Sequence, residues 1–253
     1  MHTLLLWWAG IFLNALILFR SLQTRTIGKY PIFYLYMACV LAAQITCYVV
    51  YLAHPAMYFY WYWVTEFVCL LVGYGIIIEI MEKCLAPYEG ARKFAQSAGL
   101  ILLGLVILFA LILSLTKPAW SAIDTAADLE RELRIVEALV LAMFMGVMFH
   151  YGIAIGKNMK GIIIGYGLFI TTVIIGLAVL PLVGETAYAA YAVVQSCSYL
   201  TSLLFWTVAL WSYHPNPVPE HSKELEADYE AVALKTRTAL GTMLSYLAKA
   251  ART

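Results

Sequence analysis

The segment from Tyr58 to Ile80 is long and apolar, with one carboxylate in its interior. An α-helix rises about 1.5 Å per residue, so a helix over this segment crosses the hydrocarbon core of a bilayer, which is about 30 Å thick. One carboxylate, Glu66, lies well inside it, on the order of 12 Å from the aromatic end. Insertion scales give a cost of roughly 2.5–3.5 kcal/mol for a carboxylate at that depth. We therefore expect Glu66 to face protein or a water-filled cavity and to have a partner.

The composition extends this conclusion to the whole chain. Hydrophobic residues make up 63% and charged residues 12%, and the mean hydropathy is +0.83. Soluble domains have about 45–50% apolar and about 25% charged residues. The sequence thus predicts an all-α integral membrane protein whose main partner is the lipid bilayer. A formal net charge of +1 with scattered basic residues argues against nucleic acid as a partner.

Seven apolar segments predict a seven-transmembrane-helix bundle over residues 1–213. Their approximate ranges are 3–19, 30–52, 58–80, 94–115, 133–155, 161–183 and 188–211. Lys and Arg collect in the links after the first, third and fifth segments, as they do in cytoplasmic loops. We expect the N-terminus outside and the C-terminus in the cytoplasm of a multi-pass protein in an inner (cytoplasmic) or plasma membrane. Residues 117–132 are interpreted as an outer polar loop, whose basic residues, with Arg134 counted among them, are mixed with acids.

Two features follow the last segment. Residues 214–221 contain three alternating prolines and predict an extended spacer. From residue 222 to residue 250, apolar side chains recur at spacings of three and four, which predicts a cytoplasmic amphipathic helix. This helix either lies on the inner leaflet or docks a cytoplasmic or membrane protein partner, and disorder of these residues is the third alternative. An oligomer is compatible with the sequence.

Polar side chains within the spans suggest a common layer. By helical rise, Gln44, Glu66 and Gln195 lie about 10–14 Å from the outer ends of their helices. The candidate ligand-binding residues are Glu66, Gln44, Gln195, Tyr62, Tyr191 and Tyr51. Three interpretations are open. The layer is interhelical hydrogen bonding worth about 0.6 kcal/mol per contact, a ligand or ion pocket centred on Glu66, or a proton relay.

Small and charged residues near the cytoplasmic ends give two further expectations. Gly152 and Gly156 close the fifth segment, while Gly161 and Gly165 open the sixth, which predicts close packing of these two helices. Glu79 is interpreted as part of an interfacial ion pair with the neighbouring lysine. The five cysteines have no CxxC spacing and are interpreted as buried free thiols.

Motifs for catalysis and cofactor binding are missing from the sequence. There is no GxSxG, HExxH or P-loop, and His150 is the one histidine within a predicted span. No second histidine lies three or four residues from it, so neither a zinc site nor a haem pair is indicated. We predict no catalytic residue, no metal, no cofactor and no enzyme activity.

The predicted topology resembles that of microbial rhodopsins and G-protein-coupled receptors. The resemblance stops at topology, since residues 188–211 contain no lysine for a retinal Schiff base and the chain has no DRY-like or NPxxY motif. The first functional hypothesis is a receptor-like or sensory protein with an outward-opening polar and aromatic pocket around Glu66 and signal output through a cytoplasmic partner. The alternatives are a non-catalytic structural or accessory subunit of a larger membrane complex and a small-solute or proton transporter. No internal repeat supports the transporter.

Overall fold

The computed structural model describes residues 2–93, 122–183 and 186–215, together with isolated positions in 96–112 and 217–238. All regular structure in these residues is helical. The six long helices are α1 (His2–Gln23), α2 (Pro31–Ala53), α3 (Tyr58–Cys84), α4 (Ala122–His150), α5 (Lys157–Val183) and α6 (Thr186–Ala209). Short 3-10 helices at Thr26–Gly28 and Pro55–Met57 join α1 to α2 and α2 to α3. The predicted fourth span, 94–115, the helix at 222–250 and most of the 214–221 spacer lie outside the described stretches.

The six helices are long and apolar enough to cross a membrane, as the sequence predicts for these segments. Their outer surfaces are apolar as well. Phe149 is 90% exposed, Met143 72% and Val208 70%. Water would not favour so many large exposed apolar side chains, whereas lipid tails accommodate them. The chain is therefore a helical, multi-pass membrane protein with a lipid-facing exterior.

The described helices form a ring in chain order. Each helix packs against the next one along the chain, and α6 returns to α1. Aromatic side chains fill the centre. The rings of Phe33 and Trp206 meet edge to face at 5.2 Å, and those of Tyr36 and Tyr166 do so at 5.9 Å. These edge-to-face pairs are favourable beyond the apolar area that they bury, and they fix the inner faces of α2, α5 and α6.

The N-terminus of α2 is capped by a side chain from α3. Pro31 begins α2, and the Glu79 carboxylate accepts hydrogen bonds from the backbone N–H groups of Ile32 at 3.2 Å and Phe33 at 2.9 Å. Glu79 is only 3% exposed. Its role differs from the predicted interfacial ion pair, because a carboxylate here satisfies two N–H groups that have no partner within the helix and complements the helix dipole.

The C-terminus of α6 is tied to the start of α5 in a similar way. Asn158 is fully buried, and its Nδ2 donates to the carbonyls of Ala209 and Ser212, both at 2.7 Å. Its Oδ1 accepts a hydrogen bond from the backbone N–H of His214. One amide side chain thus satisfies groups that the end of a helix leaves without partners.

Helix α4 differs from the predicted fifth segment, 133–155, at both ends. It begins at Ala122, so residues 122–132 of the predicted outer loop already lie within the helix. It ends at His150 because Gly152 takes a left-handed conformation, with φ of +60°. The N–H of Ile153 then donates to the carbonyl of Met148 at 2.9 Å, as in a Schellman motif. Gly152 therefore terminates the helix, and no atom of the described neighbouring helices lies within 4 Å of where its Cβ would stand.

The other glycines pack against a different helix from the one predicted. A Cβ at Gly161 would overlap Ala209, and a Cβ at Gly165 would overlap the Trp206 ring, so both contacts are with α6 rather than α4. Gly156 is buried in the link before α5, where its carbonyl accepts from the N–H of Lys160 at 2.9 Å. Small residues still permit close helix approach here, but the pair that approaches is α5 and α6.

Candidate functional site

A buried arginine on α4 organises the polar interior. Glu130, Arg134 and Glu137 follow one another at spacings of four and three, which puts them on one helical face. Arg134 is fully buried. Its Nη2 lies 2.6 Å from Oε1 of Glu66 on α3, its Nε lies 3.4 Å from Glu130 Oε1, and its Nη1 lies 3.5 Å from Glu137 Oε2. We call these four residues the arginine cluster.

Helix α5 completes the surroundings of the arginine cluster. The Tyr166 hydroxyl donates to Glu137 Oε1 at 3.1 Å, and the Arg134 guanidinium lies 5.4 Å from the centroid of the Phe169 ring. A Cβ at Gly73 of α3 would overlap the Tyr166 hydroxyl and crowd Glu137. A glycine at this position lets α3 approach the Tyr166–Glu137 hydrogen bond closely.

Further contacts between α3 and α4 lie near the Glu66–Arg134 pair in the sequence. The Tyr74 hydroxyl donates to the Leu133 carbonyl at 2.9 Å. These two residues form a small apolar cluster with Leu70 and Leu129. These contacts help to hold α3 and α4 in the register that puts Glu66 and Arg134 at hydrogen-bonding distance.

The arginine cluster is unbalanced in charge. Among the described residues, three carboxylates share the single guanidinium of Arg134. Fully ionised, the cluster would carry two surplus negative charges, which are costly in a medium of low dielectric constant. Bound protons or a cation from outside the cluster would relieve that cost. Within the same described residues, no group of three His, Cys, Asp or Glu side chains is arranged to hold a metal ion.

A cavity of about 260 Å³ lies against Glu66, with walls from α1, α2, α3, α5 and α6. It extends from Tyr58, the first residue of α3, past Glu66 to Cys69. The Glu66 side chain is 23% exposed, whereas that of Arg134 is 1% exposed. The Glu66 carboxylate therefore lines the cavity and also contacts a buried guanidinium on another helix.

The structure brings together four of the six candidate ligand-binding residues. Glu66, Gln44, Gln195 and Tyr62 all line the cavity. Tyr51 does not line it, being 56% exposed with its ring 5.9 Å from that of Tyr58. Tyr191 does not line it either, because its ring packs where a Cβ on Gly176 of α5 would stand.

Mutual hydrogen bonding within the predicted layer is not what the structure shows for Glu66. Its hydrogen bond goes to Arg134, which lies at the start of the predicted fifth span, 133–155, and was counted with the basic residues of the preceding loop. Gln44 Oε1 is buried and accepts no hydrogen bond from the described residues. Beside the cavity, the Asn14 amide donates a hydrogen bond to the Tyr199 hydroxyl at 3.1 Å and so links α1 to α6.

Sequence reasoning missed Arg134, Glu137 and Tyr166 as partners of the site. A usable signal was present, since Glu130, Arg134 and Glu137 share one helical face. Glu130 falls in residues 117–132, which the sequence pattern indicates as a loop, so only Arg134 and Glu137 of this face lie within the predicted span.

Comparisons with known proteins give no further indication. No protein-family model matches the chain, and no curated protein and no solved structure is significantly similar to it.

Proposed function

We propose that this chain is a receptor-like membrane protein that senses a small ligand in the cavity around Glu66. One observation carries the proposal. The Glu66 carboxylate lines a 260 Å³ cavity and at the same time accepts a 2.6 Å hydrogen bond from the wholly buried Arg134 of α4. A ligand that binds to Glu66 in the cavity therefore acts directly on a neighbouring helix.

Arg134 has charged partners on two helices. It contacts Glu66 across the α3–α4 interface and contacts Glu130 and Glu137 along its own helix. A ligand that competes for Glu66 weakens the bond across the interface and leaves the contacts within α4. Such a ligand shifts α4 relative to α3 only to the extent that it binds one arrangement more tightly than the other.

The proposal includes the topology that lets a signal cross the membrane. With residues 94–115 as an additional span, the bundle has seven transmembrane helices, an external N-terminus and a cytoplasmic C-terminus. The cavity then opens outward, at the end of the bundle where α3 begins. Residues 222–250 would carry the output to a cytoplasmic or membrane protein partner. The basic residues in the links after α1 and α3 support this orientation.

A second candidate function is a proton-coupled small-solute transporter. The observation that favours it is the sharing of one guanidinium by three carboxylates. A site with surplus carboxylates exchanges protons when a solute enters or leaves. The accessory-subunit alternative predicts instead that these residues only hold helices together, so that no solute binds.

The test is the thermal stability of the purified protein with cationic, neutral and anionic small solutes, in the wild type and in Glu66→Gln. We expect at least one class of solute to raise the Tm of the wild type and to leave that of Glu66→Gln unchanged. The absence of a shift with every class would contradict the proposed function. Accumulation of the bound solute inside proteoliposomes would identify the transporter instead of the receptor.

A further inference from the structure

The size of the cavity suits a small solute. Sites for drug-sized ligands have volumes of roughly 300–1,000 Å³. The cavity beside Glu66 has about 260 Å³, and it is lined by side chains of five helices. The chemistry of these walls then decides which class of small solute fits.

The walls are rich in aromatic rings. The aromatic residues that line the cavity are Trp7, Tyr36, Tyr58, Tyr62, Phe169 and Tyr199. Two pairs of them are in ring contact, Tyr58 with Tyr62 at 6.3 Å and Phe169 with Tyr199 at 5.7 Å. Aromatic faces carry partial negative charge and attract ammonium groups, so several rings around one space are typical of sites for quaternary ammonium ligands.

The charge of the site also favours a cationic ligand. Glu66 is the ionisable carboxylate on the cavity wall, and it belongs to a cluster of three carboxylates with one guanidinium. The described residues that line the cavity include no lysine, arginine or histidine. An anionic ligand would thus be repelled by the ionised Glu66 carboxylate, whereas a cationic ligand would be attracted to it.

Gln44 adds a polar group that a ligand can use. Its Oε1 is buried and accepts no hydrogen bond from the described residues. A buried acceptor without a donor needs an explanation, because such groups are few in native structures. Gln44 and Glu66 both line the cavity. A hydroxyl or N–H group of a ligand in the cavity would therefore satisfy this oxygen.

We propose that the cavity binds a small organic cation, an ammonium or quaternary ammonium compound that carries a hydrogen-bond donor. This inference rests on the proposed function and adds the ligand class to it. The cationic group lies among the aromatic rings near Glu66, and the donor reaches Gln44. The bound cation compensates negative charge of the arginine cluster. It also competes with Arg134 for Glu66.

The experiment compares an ammonium compound with a neutral molecule of the same shape. The protein is purified in dodecyl maltoside, a detergent without an ammonium group. Its Tm is measured against rising concentrations of choline, ethanolamine and tetramethylammonium, with sodium chloride holding the ionic strength constant. The neutral match for choline is 3,3-dimethyl-1-butanol. We expect choline to raise the Tm at concentrations about tenfold below those at which the neutral alcohol does so.

Variants of one cavity wall separate the contribution of the rings from the stability of the arginine cluster. Tyr58→Leu removes a ring without touching Arg134 and should weaken choline binding roughly two- to thirtyfold, whereas Tyr58→Phe should leave it unchanged. Tyr60→Leu is the matched control, because Tyr60 is on the same helix, 62% exposed and outside the cavity. Glu66→Gln should abolish the choline shift, and Glu132→Gln, an exposed change on α4, should not.

The possible outcomes distinguish the two proposals. Equal shifts by choline and by its neutral match would overturn the assignment to a cation. The same conclusion follows if no ammonium compound shifts the Tm while a neutral or anionic solute does so in a Glu66-dependent way, and the proposed function then stands. If no solute of any class shifts the Tm, both proposals fail. If Glu66→Gln does not fold, the comparison of Tyr58→Leu with Tyr58→Phe decides.

Discussion

Arg134 is the residue on which the polar interior of this protein depends. Its guanidinium joins α4 to Glu66 of α3 and also serves two carboxylates of its own helix. A buried ion pair does not by itself make a strong case for stability, because desolvation offsets much of the attraction. Removing one partner is different, since the charges left behind remain buried.

We predict that Arg134→Met destabilises the protein by about 3–5 kcal/mol, because three buried carboxylates lose their counter-charge. Arg134→Lys should cost less, since it keeps the charge but loses the planar fork that reaches several carboxylates. Unfolding in mixed detergent micelles measures both. Glu132→Gln on the exposed side of α4 is the control and should behave like the wild type. A wild-type stability of Arg134→Met would show that the cluster is already neutral without the guanidinium.

Tyr166 provides a test of the hydrogen bond to Glu137. We predict that Tyr166→Phe costs about 1–3 kcal/mol, because the buried Glu137 oxygen loses its donor while the aromatic packing stays. The same unfolding measurement applies. Tyr60→Phe removes a hydroxyl from an exposed ring and should have no effect. Equal effects of the two substitutions would mean that the hydrogen bond at 3.1 Å contributes nothing measurable.

At the scale of the elements, helix termini and glycine contacts decide how the helices fit together. Glu79 of α3 caps α2, and Asn158 at the start of α5 ties down the end of α6. Each side chain satisfies backbone groups of another helix. Such groups are expensive to leave without partners away from water, so these contacts stabilise particular neighbours and not just helices in general.

Glu79→Ala should destabilise the bundle by about 1–2 kcal/mol, because two N–H groups at the start of α2 lose their acceptor. Hydrogen–deuterium exchange should rise at Ile32 and Phe33 before it rises elsewhere in α2. Glu82→Ala, one helical turn further along α3, is the matched control. Unchanged exchange at these two amides in Glu79→Ala would refute a capping role.

Gly165 tests the close approach of α5 and α6. A Cβ there overlaps the Trp206 ring, so Gly165→Ala should cost about 1–3 kcal/mol through overpacking. Gly167→Ala is the control on the same helix, because the nearest atom to its Cβ would be Leu141 Cδ2 at 4.0 Å, an ordinary contact. A thermal unfolding series measures the difference. Similar Tm values for the two variants would show that Trp206 moves aside without cost.

At the scale of the whole molecule, the ring of helices and its cavity give the protein two distinct ends. Tyr58 lies at the cavity end, where α3 begins, and Ser212 lies just beyond the other end of α6. The proposed orientation puts the first end outside the cell and the second in the cytoplasm. The distribution of basic residues supports it.

Cysteine labelling tests this orientation. The five native cysteines are replaced by alanine, and Ser196→Cys or Ser212→Cys is introduced into that background. Ser196 lines the cavity, so an impermeant maleimide should label the first variant in right-side-out vesicles. It should label the second only after the vesicles are opened. The reverse pattern would show that the topology is inverted. Failure of Ser196→Cys to react even in opened vesicles would show that the cavity is closed to the reagent.

The class of protein follows from the sequence, and so do the positions of most helices to within a few residues. Length and apolarity are local properties, so they predict that α1, α2, α3, α5 and α6 are membrane-spanning from their own residues. The boundaries of α4 were harder, because its polar first turns resemble a loop and its end depends on the backbone conformation of Gly152. Local pattern was also enough to mark Glu66 as a residue that needs a partner.

Which residue is the partner of Glu66 depends on how the helices pack. The pairing of Glu66 with Arg134, the capping of α2 by Glu79 and the packing of Gly165 on Trp206 all join residues far apart in the chain. Helical periodicity says which residues share a face, but it does not say which helix that face meets. The choice of neighbours comes from fitting all the faces into one ring, and this is why the cavity beside Glu66 emerges only when the helices are assembled.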